Sequence, residues 1–157
     1  MGMAITVQDY LDEMEAVYDV IEHPYAPTSI GAAGRAHLPP ERLAKGVVVK
    51  DENGVLTLTV VPSDRNVDLE SLKETLQHDV ELATEDEVIG KFDDCDPGAV
   101  PPLGNAYALR VLLDDDLMTQ DQVYFESGDH RHLVHVNGEE FRRIMGGAEK
   151  GRFTQAA

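Results

Sequence analysis

The chain has 157 residues, with 13 Lys+Arg against 30 Asp+Glu and a formal net charge of −17. That length accommodates one domain with its own core, while the charge excludes a broad, sequence-independent grip on nucleic acid, which works by neutralising many phosphates. A lone cysteine, Cys95, excludes an intrachain disulfide and a cysteine zinc knuckle. The N-terminal run Met1-Gly-Met-Ala-Ile-Thr6 has no basic region followed by an apolar one, and no window is apolar for long enough to span a bilayer. A cytoplasmic protein without a membrane partner is expected.

In chain order, Thr6 is placed to cap a helix reaching about Ala16, with Asp9 at the capping-box position. Tyr18–Glu22 reads as a strand closed by His23-Pro24, and Ser29 as the cap of a short helix to Ala36. Pro39-Pro40 stops that helix, and Glu41–Ala44 adds one more turn. Gly46–Lys50 and Val55–Val61 flank Asp51-Glu-Asn-Gly54, the pattern of a hairpin. Leu56, Leu58 and Val60 alternate with Thr57 and Thr59, which predicts one core face. A helix over Val67–Gln77, a strand over Val80–Ala83 and a helix capped by Thr84 with Glu87 in its box follow. Strands are predicted over Tyr107–Leu113, Gln122–Glu126 and His132–Val136, then a helix from Gly138 to about Met145 capped by Asn137. Residues 147–157 read as a flexible tail beyond a domain of residues 1–146. The pattern is α+β, with about six or seven strands and about five helices in no regular alternation.

The stretch Cys95-Asp-Pro-Gly-Ala-Val-Pro-Pro-Leu-Gly104 concentrates stiff and permissive residues. It reads either as a rigid connection or as a cradle in which the amides of Gly98, Ala99, Val100, Leu103 and Gly104 point at a carbonyl or phosphate oxygen. Lys45, at the mouth of an apolar strand, is either a surface lysine or an ammonium that binds a phosphate or developing oxyanion. His130, His132 and His135 invite a metal reading, but His132 and His135 fall on opposite faces of one strand. Asp114-Asp-Asp116 reads as a solvated acidic turn rather than a cation site, and Cys95 lacks the companions of a nucleophile. Neither a nucleophilic serine elbow nor a phosphate-binding glycine loop is present.

Lys45-Gly-Val-Val-Val-Lys50, the hairpin, Gly98-Ala-Val-Pro-Pro-Leu-Gly104 and Gly128-Asp-His-Arg-His-Leu-Val-His-Val136 stand in the order seen in the YbaK/ProX family of aminoacyl-tRNA editing domains, which the chain resembles from about residue 5 to 146. The resemblance implies a YbaK-like, partly barrel-like mixed sheet. It also implies a free-standing, metal-independent deacylase without cofactor that hydrolyses the ester of a mischarged small amino acid on tRNA, with tRNA-Pro the first candidate. Lys45, Gly98 and Pro102 would then be catalytic, and Ala99, Val100, Pro101, Gly104, Gly128 and His130 would bind substrate, His130 against the terminal adenosine. The implied partners are the tRNA acceptor end, aided by Arg131, Arg142 and Arg143, and prolyl-tRNA synthetase. Pro101 stands where relatives commonly carry Ser or Thr, and the −17 charge disfavours gripping a tRNA body. Those two departures keep open a non-catalytic module that binds a nucleotide or a partner protein.

Overall fold

The computed structural model describes residues 3–155. Its centre is a mixed eight-stranded sheet built from β1 (Asp19–Glu22), β2 (Leu43–Asp51), β3 (Leu56–Pro62), β5 (Val80–Leu82), β6 (Arg110–Asp114), β7 (Gln122–Glu126), β8 (His132–Asn137) and β9 (Glu149–Gly151). The order along the sheet is β1-β8-β7-β2-β3-β6-β9, with β5 added on β2. β2–β7, β3–β6 and β6–β9 are parallel, and the other pairs are antiparallel. The path runs from β1 to β9 without closing, so the sheet is open rather than a barrel. A second ribbon pairs β4 (Asn66–Val67) with β10 (Thr154–Gln155).

Each helix starts where a short side chain satisfies an otherwise unpartnered amide. Thr28 caps α2 (Ser29–Arg35), Asp68 caps α3 (Leu69–Leu76) and Asn137 caps α6 (Gly138–Ile144). Thr84 and Glu87 form both bonds of a capping box on α4 (Glu85–Lys91). The first helix, α1 (Ile5–Glu13), departs from the sequence reading: Ala4 occupies its cap without a side-chain bond, and the Thr6 amide donates instead to Asp94 Oδ2 at 2.9 Å. A carboxylate brought in from 88 residues away does the work expected of a local hydroxyl.

Apolar residues of alternate parity line the two faces of the sheet. One face packs Ala44, Val48, Leu58, Val60, Val111, Leu113, Phe125 and Val134 under α1 and α6. The other face carries two smaller clusters, Leu43 and Leu133 beneath the alanines of α2, and Val49, Leu112 and Phe153 against Leu72 of α3. β3 is therefore buried on both sides, Thr57 and Thr59 included, and not on one face as its alternation predicts. The Tyr107–Leu113 strand is shorter than expected, because Gly104–Tyr107 turns as a 3-10 helix and Ala108 takes φ +57° before β6 begins. Asp114-Asp-Asp116 is not a loop: Asp114 is buried, accepts from the Asp116 amide to start α5 (Asp115–Met118), and accepts from Phe153 N through its other oxygen.

That last bond anchors the segment read from sequence as a frayed tail. Through Gln155 it is folded, with β9 beside β6, β10 beside β4 and Phe153 2% exposed. Its polar character hides one aromatic anchor, and the pairing surfaces belong to strands more than 30 residues earlier in the chain.

Candidate active site

β2 changes partner midway. At Leu43 and Ala44 it lies beside β7, and at Val49–Asp51 it lies beside β5. Among the described residues no strand pairs with residues 45–47 on that edge, while β3 lines the opposite edge throughout. Lys45 thus stands where the sheet opens. Its side chain is half-buried, and its Nζ donates to the Ser63 carbonyl at 3.4 Å. Burial pushes the amine below its ordinary value, and the nearby Asp64 carboxylate partly offsets that.

The Gly/Pro loop meets β2 at the next residue. A Cβ on Gly46 would lie 3.0 Å from Val100 Cγ1 and 2.9 Å from Leu58 Cδ1, so only glycine lets the loop sit this close. Strand alternation sends the Lys45 side chain to the face away from Val100. The amine accordingly makes no hydrogen bond to the loop.

Within the loop, Asp96-Pro97-Gly98-Ala99 is a type II turn: Gly98 has φ +83° and Ala99 N donates to Asp96 O at 2.9 Å. Gly104 N donates to Pro102 O at 3.1 Å. Two of the five amides assigned to the cradle are therefore consumed by the loop itself. Those of Gly98, Val100 and Leu103 have no protein partner among the described residues. Gly98 is exposed and Val100 half-buried, whereas Ala99, Pro101, Pro102, Leu103 and Gly104 are buried. The two prolines are packed scaffold, not lining.

The third motif holds the loop from below. Glu126, 8% exposed, turns its carboxyl into the β7–β8 connection, where Oε1 accepts from the amides of Ser127, Gly128, Asp129 and His130 at 3.1–3.3 Å. This wraps the chain tightly enough to place His130 at φ +63° and Gly128 at φ +120°. Gly128 is a close-approach position, since a Cβ there would lie 2.9 Å from the Ala4 Cβ. Asp129 Oδ1 accepts from the amides of Arg131 and His132. Burial resists ionisation of Asp129, but the Arg131 amide and the His132 side chain outweigh it and hold the carboxyl below its usual range.

The His130 ring is buried against the loop. It is 3% exposed, and its Nε2 lies 2.7 Å from the Pro97 carbonyl. A carbonyl only accepts, so Nε2 carries the proton and is committed to the turn. The ring also lies under Gly98, 3.6 Å from where a Cβ would be. His130 therefore props the Gly98 turn. Tyr25 packs edge-on to it at 5.4 Å, and Arg131 lies over the Tyr25 ring at 5.3 Å.

The remaining candidates separate from this site. Cys95 is half-buried between Tyr107 and Asp94, and burial pushes its thiol up to about 12, which makes it a poor nucleophile. Arg143 is engaged by Glu140 and the Met14 carbonyl, and Arg142 by the Met118 carbonyl. Of the three arginines, Arg131 is the one at the site. His132 pairs with Asp129 and Glu22, and His135 stacks on Tyr124 at 4.6 Å beside Asp19. Among the described residues no three His, Cys, Asp or Glu side chains converge as metal ligands. Sequence reasoning missed Glu126 and Asp64. Glu126 carried one legible signal, an acidic residue ending an apolar strand just before a glycine turn.

An open mixed sheet with a lysine at a mid-strand opening, a proline-stiffened loop packed on the next residue and a glycine turn bracing that loop define an α+β domain of the YbaK-like type. The aminoacyl-tRNA editing domain profile matches residues 23–144, and the chain belongs to that family. Among solved structures, a candidate trans-editing enzyme for prolyl-tRNA synthetase is 25% identical, with 98% of this chain and 97% of that one aligned at a TM-score of 0.82. The hypothetical protein APE2540 is 21% identical over 96% of this chain and 99% of its own, at 0.84. A scaffold from work on grafting epitope backbones by computational design is 23% identical over 98% and 97%, at 0.83. No match is found among proteins of curated function. No described helix is long and apolar enough to cross a membrane.

Proposed function

We propose that the protein is a free-standing trans-editing deacylase that hydrolyses the ester joining a mischarged small amino acid to tRNA, with tRNA-Pro the first candidate. The observation that carries this reading is the convergence of Lys45 and the Gly/Pro loop on consecutive residues of β2, at the strand's unpaired stretch, in a chain of the editing-domain family. The Lys45 side chain points to the other face of the strand, toward Ser63, so meeting an ester that lies on the loop requires it to turn through that unpaired stretch.

The chemistry requires little more than positioning and oxyanion stabilisation, because an aminoacyl ester is already activated. Water adds to the carbonyl carbon, and the oxygen that gains charge is met by the amides of Gly98 and Val100 and by the Lys45 ammonium. The bond to the ribose oxygen then breaks. That oxygen takes a proton to regenerate the terminal hydroxyl, and the amino acid leaves as its carboxylate. No protein nucleophile and no metal enter this scheme. Pro102, Pro101, Ala99, Gly104, Gly128 and His130 act as the frame that keeps the two exposed amides in place. The acidic surface confines recognition to the acceptor end, where Arg131 and Tyr25 flank the site. Prolyl-tRNA synthetase is the natural companion to test.

The test is release of amino acid from Ala-, Cys- and Ser-charged tRNA. Lys45→Ala should lower the rate by about 100-fold or more, the scale of losing one oxyanion donor. Nucleotide or tRNA-end binding without turnover, indifferent to Lys45→Ala, would replace the deacylase with a binding module.

A further inference from the structure

The turn that follows β3 holds an acidic side chain that the scheme above does not use. Ser63 is pinned: its amide donates to Leu43 O and its hydroxyl to Pro40 O. Its own carbonyl is thereby aimed at Lys45 Nζ. Asp64 is the next residue, its Oδ1 is buried, and that oxygen has no hydrogen-bond partner. Buried polar atoms nearly always find one, so this orphan needs a reason.

The surrounding charges are accounted for. Arg65 on the same turn is drawn to Asp116 at 3.6 Å, and Arg42 on the preceding 3-10 turn to Asp121 at 3.2 Å. Glu41 on that turn is exposed, and Glu126 at the end of β7 is folded into its own connection. Among the described residues Asp64 is the charged side chain whose field acts on Lys45. A direct ion pair would consume the amine's donors. A carboxylate one residue beyond the carbonyl it touches supplies the field and leaves the donors not given to that carbonyl available. Without that field, burial alone would act on the half-buried amine and lower its affinity for a proton further.

We propose that Asp64 is a positioning residue for Lys45: its carboxylate, one oxygen of which is buried and unpartnered beside the Ser63 carbonyl, favours the charged amine and leaves the donors not given to Ser63 free at the sheet opening. Its catalytic meaning rests on the deacylase reading, but its physical content does not. Lysine-labelled protein followed by NMR reports the titration of Lys45 directly, with Lys45→Arg identifying the resonance. In Asp64→Asn the Lys45 midpoint should fall by about one pH unit, a tenfold loss of proton affinity. Asp64→Glu, which retains the charge, should stay near wild type. In the deacylation assay the alkaline limb of the kcat/KM profile should move to lower pH by the same amount in Asp64→Asn.

An unchanged Lys45 midpoint in Asp64→Asn overturns the proposal, and so does an equal fall in Asp64→Glu, which would mark lost packing. If the midpoint falls as expected in a protein that releases no amino acid from any charged tRNA, the deacylase reading fails and the Asp64–Lys45 linkage stands.

Discussion

Replacing Glu126 with alanine removes the single acceptor shared by four amides. Ser127 N keeps a second acceptor, the His132 carbonyl at 3.3 Å, and Asp129 is partly open to water, so the two buried donors left without a partner are those of Gly128 and His130. At about 1 kcal/mol for each buried orphan, the low end of the usual range because all four shared one oxygen at 3.1–3.3 Å, the loss is about 2 kcal/mol. For a chain of this length that lowers Tm by about 4–8 °C. Glu126→Gln keeps one acceptor oxygen and should cost about half as much. Urea and thermal denaturation measure both. The turn also props Gly98 through the His130–Pro97 bond, so deacylation should fall further than in a variant of equal instability placed elsewhere. A Glu126→Ala protein within about 1 kcal/mol of wild type would refute the claim that this carboxyl organises the turn.

Three further outcomes are expected. Phe153→Ala should cost about 3 kcal/mol or more in a urea titration, since the ring is buried against Val49, Leu72 and Leu112, and it supplies the remote control for Glu126→Ala. Gly98→Ala should cost about 1–2 kcal/mol through its φ of +83° alone, because a Cβ would only graze His130 at 3.6 Å; Gly98→Asn, which tolerates that region better, should cost less. Asp129 has its carboxyl held below the ordinary value, so it stabilises the fold above that value and the contribution is lost as pH falls through the folded one. Asp129→Asn should therefore lower the urea midpoint at about pH 6, with the difference from wild type shrinking as pH falls through the folded value.

What the sequence makes legible here is whatever closes locally. The 51–54 turn has Gly54 at φ +80° with Asp51 Oδ1 accepting from Asn53 and Val55, and all its determinants lie within five residues. The Thr84–Glu87 box is likewise complete in four. Misreadings begin where a distant group substitutes for a local one. Thr6 looks like a cap because nothing in its neighbourhood announces Asp94. Residues 149–155 look frayed because β4 and β6, which pair with them, lie elsewhere in the chain.

At the candidate site, sequence motifs mark segments that the fold brings together, but not how each residue is buried or bonded. Prolines and glycines mark a rigid loop, yet rigidity is achieved by burying Pro101 and Pro102 and by spending two amides internally. A histidine beside a glycine turn looks like a substrate contact until a carbonyl 2.7 Å away claims its proton. Burial and hydrogen-bond commitment are properties of the assembled molecule. They decide which of several suitable side chains is left available.

Because β2 is bound to β7 near its start and to β5 near its end, the gap beside Lys45 is spanned by two separate sets of neighbours. The width of that gap is fixed by how those sets are spaced, much as a slot is fixed by the two rails that bound it. Repacking α3, whose Leu72 clusters with Val80 of β5, would reset the slot by shifting one rail while leaving Lys45 and the loop themselves unaltered.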